Sequence, residues 1–167
     1  MYGPPDTWAR ISSASSPYAD QIDDVSDVFD INVWVDNESV TFGEITVTPR
    51  QLLHPTVSFG MRITDLQGFT FVYSGDTGYG PEVIELAENA DVFLCEASWT
   101  DSRERPKALH LSGIEAGRVA QQAGVKKLFL THIPPWSDRD AIEAEARQEF
   151  DGPVHAVQQG DVLEISS

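Results

Sequence analysis

Apolar and polar positions alternate twice in the middle of the chain. Val40 to Thr48 reads Val-Thr-Phe-Gly-Glu-Ile-Thr-Val-Thr and Val57 to Thr64 reads Val-Ser-Phe-Gly-Met-Arg-Ile-Thr, so each stretch predicts a strand with one buried face. Asp65-Leu66-Gln67-Gly68 predicts a tight turn, and Phe69-Thr70-Phe71-Val72-Tyr73 a more fully buried strand running back antiparallel. Beyond Gly80 the grammar changes to helix and strand in turn. A helix is predicted near Pro81 to Asn89, a strand at Asp91 to Cys95, a helix from Gly113, a strand at Lys127 to Leu130 and a helix from about Asp138 to Phe150. Ser112 and Glu115 have capping-box spacing, and Gly124 is placed to stop the helix they start. Val154 to Val157 and Asp161 to Ile165 predict a closing hairpin around Gln159-Gly160. Upstream, Ile22, Val25 and Phe29 suggest a short helix with Asp23, Asp24, Asp27 and Asp30 mostly outside, and Ser12-Ser13-Ala14-Ser15-Ser16-Pro17 reads as a loop. The fold class is α/β, an α+β sandwich with helices layered on one side of a mixed sheet.

Length and composition narrow this picture. The chain has 167 residues and 41% hydrophobic content, which suits one domain with one core. No apolar run is long enough to span a membrane, and Met1-Tyr2-Gly3-Pro4-Pro5 lacks the basic start and apolar stretch of a secretory signal, so a cytoplasmic protein is expected. The formal charge of -16, from 27 acidic and 11 basic residues, opposes general attraction to a nucleic acid. The sole cysteine, Cys95, sits in Val92-Phe93-Leu94-Cys95 and reads as a small buried hydrophobe.

Candidate chemistry gathers where predicted strands end. Asp76 lies in Ser74-Gly75-Asp76-Thr77-Gly78 directly after one strand, His54 follows another and precedes Pro55, His132 ends Leu128-Phe129-Leu130-Thr131, and His110 stands just before a helix N-cap. Groups at strand ends can converge on one edge of a sheet, as ligands of a borderline metal such as Zn²⁺ must. Singly, each signal is weak: such a histidine is more often a hydrogen-bonded surface or core residue than a ligand, and Gly-Asp-Thr-Gly is more often a turn. Their joint order carries more.

His54, then Ser-Gly-Asp-Thr-Gly, Cys95-Glu96-Ala97, His110-Leu111-Ser112-Gly113 and Leu130-Thr131-His132 resemble the later motifs of the metallo-β-lactamase superfamily. The branch they resemble holds ribonuclease Z-like phosphodiesterases and the actinobacterial cyclic-nucleotide phosphodiesterases, and the similarity runs from Tyr2-Gly3-Pro4 to the last hairpin. The resemblance implies an αββα metallo-β-lactamase fold in which Asp76 bridges two metal ions, zinc with manganese or iron as alternatives, while His54 completes one and His132 the other. It further implies that His110 contacts the phosphate and helps protonate the leaving oxygen, with Glu96 hydrogen-bonding its other nitrogen. A surface histidine and an acidic strand-end residue are the plain alternatives for that pair, and His155 is read as structural. The substrate implied is a small phosphodiester, most naturally a cyclic nucleotide. Transfer-RNA 3′-end processing and a non-catalytic binding role are the other functions that the resemblance leaves open.

The superfamily's H-x-H-x-D-H motif has no counterpart among the four histidines. The chain is therefore expected to be the C-terminal portion of a single domain, residues 1–167, incomplete at its N-terminus, either as a fragment or as a naturally shortened relative. Two consequences are expected. Metal binding by this chain alone should be weak or absent, and the exposed sheet face should pair with the missing N-terminal segment or with a second copy in a homodimer.

Overall fold

The computed structural model describes residues 1–18, 21–102 and 104–162. Strand β1 (Tyr2–Gly3) pairs in parallel with β2 (Asn32–Val33), and helix α1 (Thr7–Ser15) lies between them in sequence. The main sheet runs through β3 (Val40–Phe42), β4 (Ile45–Leu52), β5 (Ser58–Asp65), β6 (Thr70–Tyr73), β7 (Val92–Glu96), β8 (Leu128–Thr131) and β9 (Val154–Ala156), neighbours in space following their order in the chain. Pairing is antiparallel from β3 to β6 and parallel from β6 to β9. Parallel neighbours need crossovers, and three helices supply them: α2 (Pro81–Ala87), α3 (Gly113–Ala123) and α4 (Arg139–Glu149).

These helices share one face of the sheet. Val72, Phe93, Cys95, Leu128 and Leu130 point from the strands into a core completed by Leu86, Val119 and Ile142 from the helices. Burial of this kind contributes on the order of 1.5–3 kcal/mol per large aliphatic side chain. Cys95 belongs to that core, and burial pushes its thiol well above the ordinary value. Helices α3 and α4 cross closely because Gly113 and Gly117 carry no Cβ, which would otherwise stand 2.2 Å from the Ile142 carbonyl oxygen and 2.4 Å from that of Ala146. On the opposite face, the row Ile63, Phe71, Tyr73, Leu94 and Phe129 is only partly covered.

Helix α3 has the predicted start and stop: Ser112 and Glu115 form the reciprocal capping box, and Gly124 ends the helix in the left-handed conformation at φ 66°. In the β5–β6 turn, Asp65 Oδ1 accepts the N–H groups of Gln67 and Phe69, each at 2.9 Å.

Three expectations are corrected. Val40 to Thr48 is a hairpin, not one strand: the chain reverses at Gly43-Glu44, so that Phe42 pairs with Ile45. A Gly-x pair makes a two-residue hairpin loop, and the apolar alternation continues unbroken across it. No helix forms over Ile22 to Phe29; one turn closes there, with Val28 and Phe29 both donating to the Val25 carbonyl. Asp24 Oδ1 takes the N–H of Ser26 at 2.9 Å, the side-chain competition that makes aspartate a poor helix former. The serine-rich segment is helical as far as Ser15, and the chain leaves the helix at Ser16, ahead of Pro17. Of the predicted closing hairpin, β9 pairs in parallel with β8, and most of the second arm lies outside the described residues.

Candidate metal centre

Topology brings distant residues to one edge. The C-terminal ends of β6, β7 and β8 lie together because these strands are parallel, and they present Asp76, Glu96 and His132. The β4–β5 loop reaches the same edge because β5 runs antiparallel to β6, and it carries His54. His110 arrives on the segment before α3. Its ring centroid lies 5.8 Å from that of His54 and 5.0 Å from that of His132.

Asp76 and His132 form the most open pair. Their Oδ1 and Nδ1 atoms are 3.3 Å apart, and both side chains are partly exposed. His132 leaves β8 at φ 57°, a left-handed conformation that costs a residue with a side chain about 1–2 kcal/mol. Ser98 holds this bend: its Oγ lies 3.1 Å from the His132 carbonyl oxygen and 3.3 Å from Nδ1.

Glu96 is the buried counterpart. One oxygen accepts the Thr77 N–H at 2.8 Å and meets His110 Nδ1 at 2.9 Å. The other lies 3.2 Å from the Leu111 N–H and 3.3 Å from Ser98 Oγ. Burial pushes the Glu96 carboxyl up to about 8, opposed by the N–H groups of Thr77 and Leu111 and by nearby His132, and reinforced by Asp76. The carboxyl thus anchors the Asp76 loop, the His110 ring and the chain entering α3.

The Asp76 loop and the His110 segment touch through backbone. A Cβ on Gly78 would stand 2.4 Å from the Ala108 Cα, so only glycine lets the segment lie this near. Ala108 itself is left-handed at φ 59°. The Gly78 N–H also donates to the Leu53 carbonyl at 2.7 Å, which ties in the loop bearing His54.

Asp76, Glu96, His110 and His132 each place a ligand-type atom within 4.8 Å of one another. Imidazole nitrogens and carboxylate oxygens of this kind suit a borderline divalent ion. His54 stands outside that group. Its Nδ1 lies 3.2 Å from the Thr56 carbonyl oxygen and 3.0 Å from Thr56 Oγ1, which leaves Nε2 for another partner. A ligating histidine is commonly oriented in this way, through its second nitrogen. His155 lies away from the site, with Nε2 3.0 Å from Asp161 Oδ2. Ser98 escaped the sequence reading; its signal is its place two residues after Glu96, on the same side of an extended chain.

Beside His110 and His132 opens a cavity of about 770 Å³, also lined by Trp99, Trp136 and Arg139.

Residues 1–133 match the family described as beta-lactamase superfamily domain. An uncharacterized protein of Mycobacterium leprae is 58% identical over 167 residues, 100% of this chain and 59% of its own length. The crystal structure of the metallo-beta-lactamase fold protein YhfI from Bacillus subtilis superposes with a TM-score of 0.78 at 29% identity, covering 96% of this chain and 62% of that one. A ribonuclease Z of Halorubrum lacusprofundi is 38% identical over 102 residues, 59% of this chain and 33% of that protein. The chain thus spans less than two thirds of the length of each of these relatives.

Proposed function

This chain belongs to the beta-lactamase superfamily, and on that premise we propose that it forms the later part of a metal-dependent phosphodiester hydrolase acting on cyclic nucleotides. The observation that carries this reading is the meeting of Asp76, Glu96, His110 and His132 at one sheet edge beside a ligand-sized cavity. Membership of the family implies metal ions. Asp76 and His132 would hold them, with His54 joining from the adjacent loop, and two zinc ions are the set we favour, manganese or iron being the alternatives. Such ions supply an activated water and offset charge on the phosphoryl oxygens.

The chain's own residues do the rest. Paired through Nδ1 with the Glu96 carboxylate, His110 as the imidazolium carries its second proton on Nε2, toward the substrate, where it can be given to the leaving oxygen. Ser98 and Glu96 together hold His132 and His110 at a constant separation.

Asp76, His54 and His132 fall short of the three protein ligands per ion that a catalytic zinc normally keeps. In our reading the others come from a segment ahead of Met1 or from a second copy, and the partly covered row Ile63, Phe71, Tyr73, Leu94 and Phe129 is the surface on which that layer packs. Similarity to a ribonuclease Z favours a second reading, transfer-RNA 3′-end processing. The net charge of -16 weighs against it.

Cyclic-nucleotide hydrolysis, precursor-tRNA cleavage and metal content, measured on this chain and on the chain extended by its upstream genomic sequence, test these readings. Hydrolysis with two tightly held metals in the extended chain alone is the expected result. The same in the 167-residue chain would overturn the partial-domain reading, and tRNA cleavage without cyclic-nucleotide hydrolysis would overturn the substrate.

A further inference from the structure

Trp136 is 85% exposed, against 45% for Trp8, whereas a tryptophan ordinarily buries most of its surface. It is nevertheless held firmly. Pro134 and Pro135 fix the backbone ahead of it, the Ser137 N–H donates to the Pro134 carbonyl at 2.9 Å, and Ser137 Oγ donates to the Ser98 carbonyl at 3.2 Å. The indole is therefore presented to solvent by a built loop, four residues after His132.

The cavity beneath it has an unusual character for this molecule. Among the described residues lining its 770 Å³ there is no aspartate or glutamate, although the chain holds 27 of them, while His110, His132 and Arg139 all border it. Such a lining favours an anionic ligand. Trp99 forms another wall, edge-on to His110 with ring centroids 5.3 Å apart, and its indole N–H is buried with no partner among the described residues. Gln158 and Gln159 close the far side with amide groups able to donate and accept.

We propose that this cavity is a nucleobase subsite, in which Trp136 stacks on the planar base of a nucleotide whose phosphate lies at Asp76 and His132. The inference rests on the phosphodiesterase reading and adds the residue that selects nucleotides over other phosphodiesters. An apolar cavity with aromatic walls, amide edges and one end bordered by His110, His132 and Arg139 matches a base joined to a phosphate better than it matches a carbonyl substrate or a peptide.

Calorimetric titration with adenosine 3′,5′-cyclic monophosphate, and with ribose 5-phosphate as a probe lacking the base, tests the assignment. The cyclic nucleotide should bind at least about tenfold more tightly; Trp136→Ala should weaken it by about tenfold, and Trp136→Phe by about threefold or less, with ribose 5-phosphate unaffected by either change. Melting curves of both variants should match the parent, since so exposed a side chain supports no packing. Unchanged nucleotide affinity in Trp136→Ala, or equal affinity for the two probes, overturns the subsite. Base-dependent binding by an extended chain that does not hydrolyse the cyclic nucleotide would instead remove the phosphodiesterase reading and leave the subsite in place. Hydrolysis by an extended chain with the same KM in Trp136→Ala would do the reverse.

Discussion

Nδ1 of His110 stands 2.9 Å from one carboxylate oxygen of Glu96, and the other oxygen lies 3.2 Å from the N–H of Leu111, the next residue along. One buried carboxyl thereby sets both the ring and the backbone that carries it. In a catalytically complete protein, Glu96→Gln should lower turnover by about 10²-fold, because the amide no longer pairs with the imidazolium that gives the proton. Metal content by atomic absorption should stay near that of the parent, and His110→Ala should behave alike. A parallel loss of metal would make these residues ligands rather than proton handlers.

The contact between Gly78 and Ala108 is backbone against Cβ space and has no flexible side chain to give way. Gly78→Ala should destabilise the fold by about 1–3 kcal/mol in denaturant unfolding and shift the His110 segment away from Asp76. Unchanged stability together with unchanged turnover would show that the segment is free to move.

Zinc titration of this chain should give loose binding that EDTA reverses, since within the cluster Asp76 and His132 form the open pair while Glu96 is buried. Asp76→Ala and His132→Ala should each abolish the calorimetric signal, and His54→Ala should weaken it. Persistence of that signal in Asp76→Ala would place the ion elsewhere.

Asp91 offers a test by pH. Lys126, at 2.6 Å, and the Thr70 N–H, at 2.7 Å, hold its carboxyl below the ordinary 3.8. Because the folded value is depressed, the stabilisation is present above 3.8 and is lost as pH falls through the folded value. The melting-temperature gap between the parent and Asp91→Asn should be widest near neutrality and should close as pH falls through the depressed folded value. A gap that widened in acid would reverse the assigned sign.

Local chemistry made much of this legible. The capping box at Ser112 and Glu115 and the turn at Asp65 to Gly68 are short-range signals, and the structure forms both. The order of Asp76, His110 and His132 pointed to the superfamily because motif order survives where single residues are ambiguous. Illegible features depended on competition or on distance. Apolar spacing over Ile22 to Phe29 could not show that Asp24 would cap its own turn, and unbroken alternation hid the reversal at Gly43-Glu44. The orientation of His54 is set by Thr56, and the part of Ser98 by a bend at His132 that follows it by 34 positions.

The change from antiparallel to parallel pairing at β6 also predicts an order of assembly. Strands β3 to β6 close through short turns, so their contacts are local and cost little chain entropy to form. Strands β7, β8 and β9 each arrive only after a helix has crossed over. Asp76 ends the early half, whereas Glu96 and His132 belong wholly to the late one. A partly folded chain with a native meander would therefore hold Asp76 and His54 without Glu96, His110 or His132, so that the cluster closes only when the crossovers have docked.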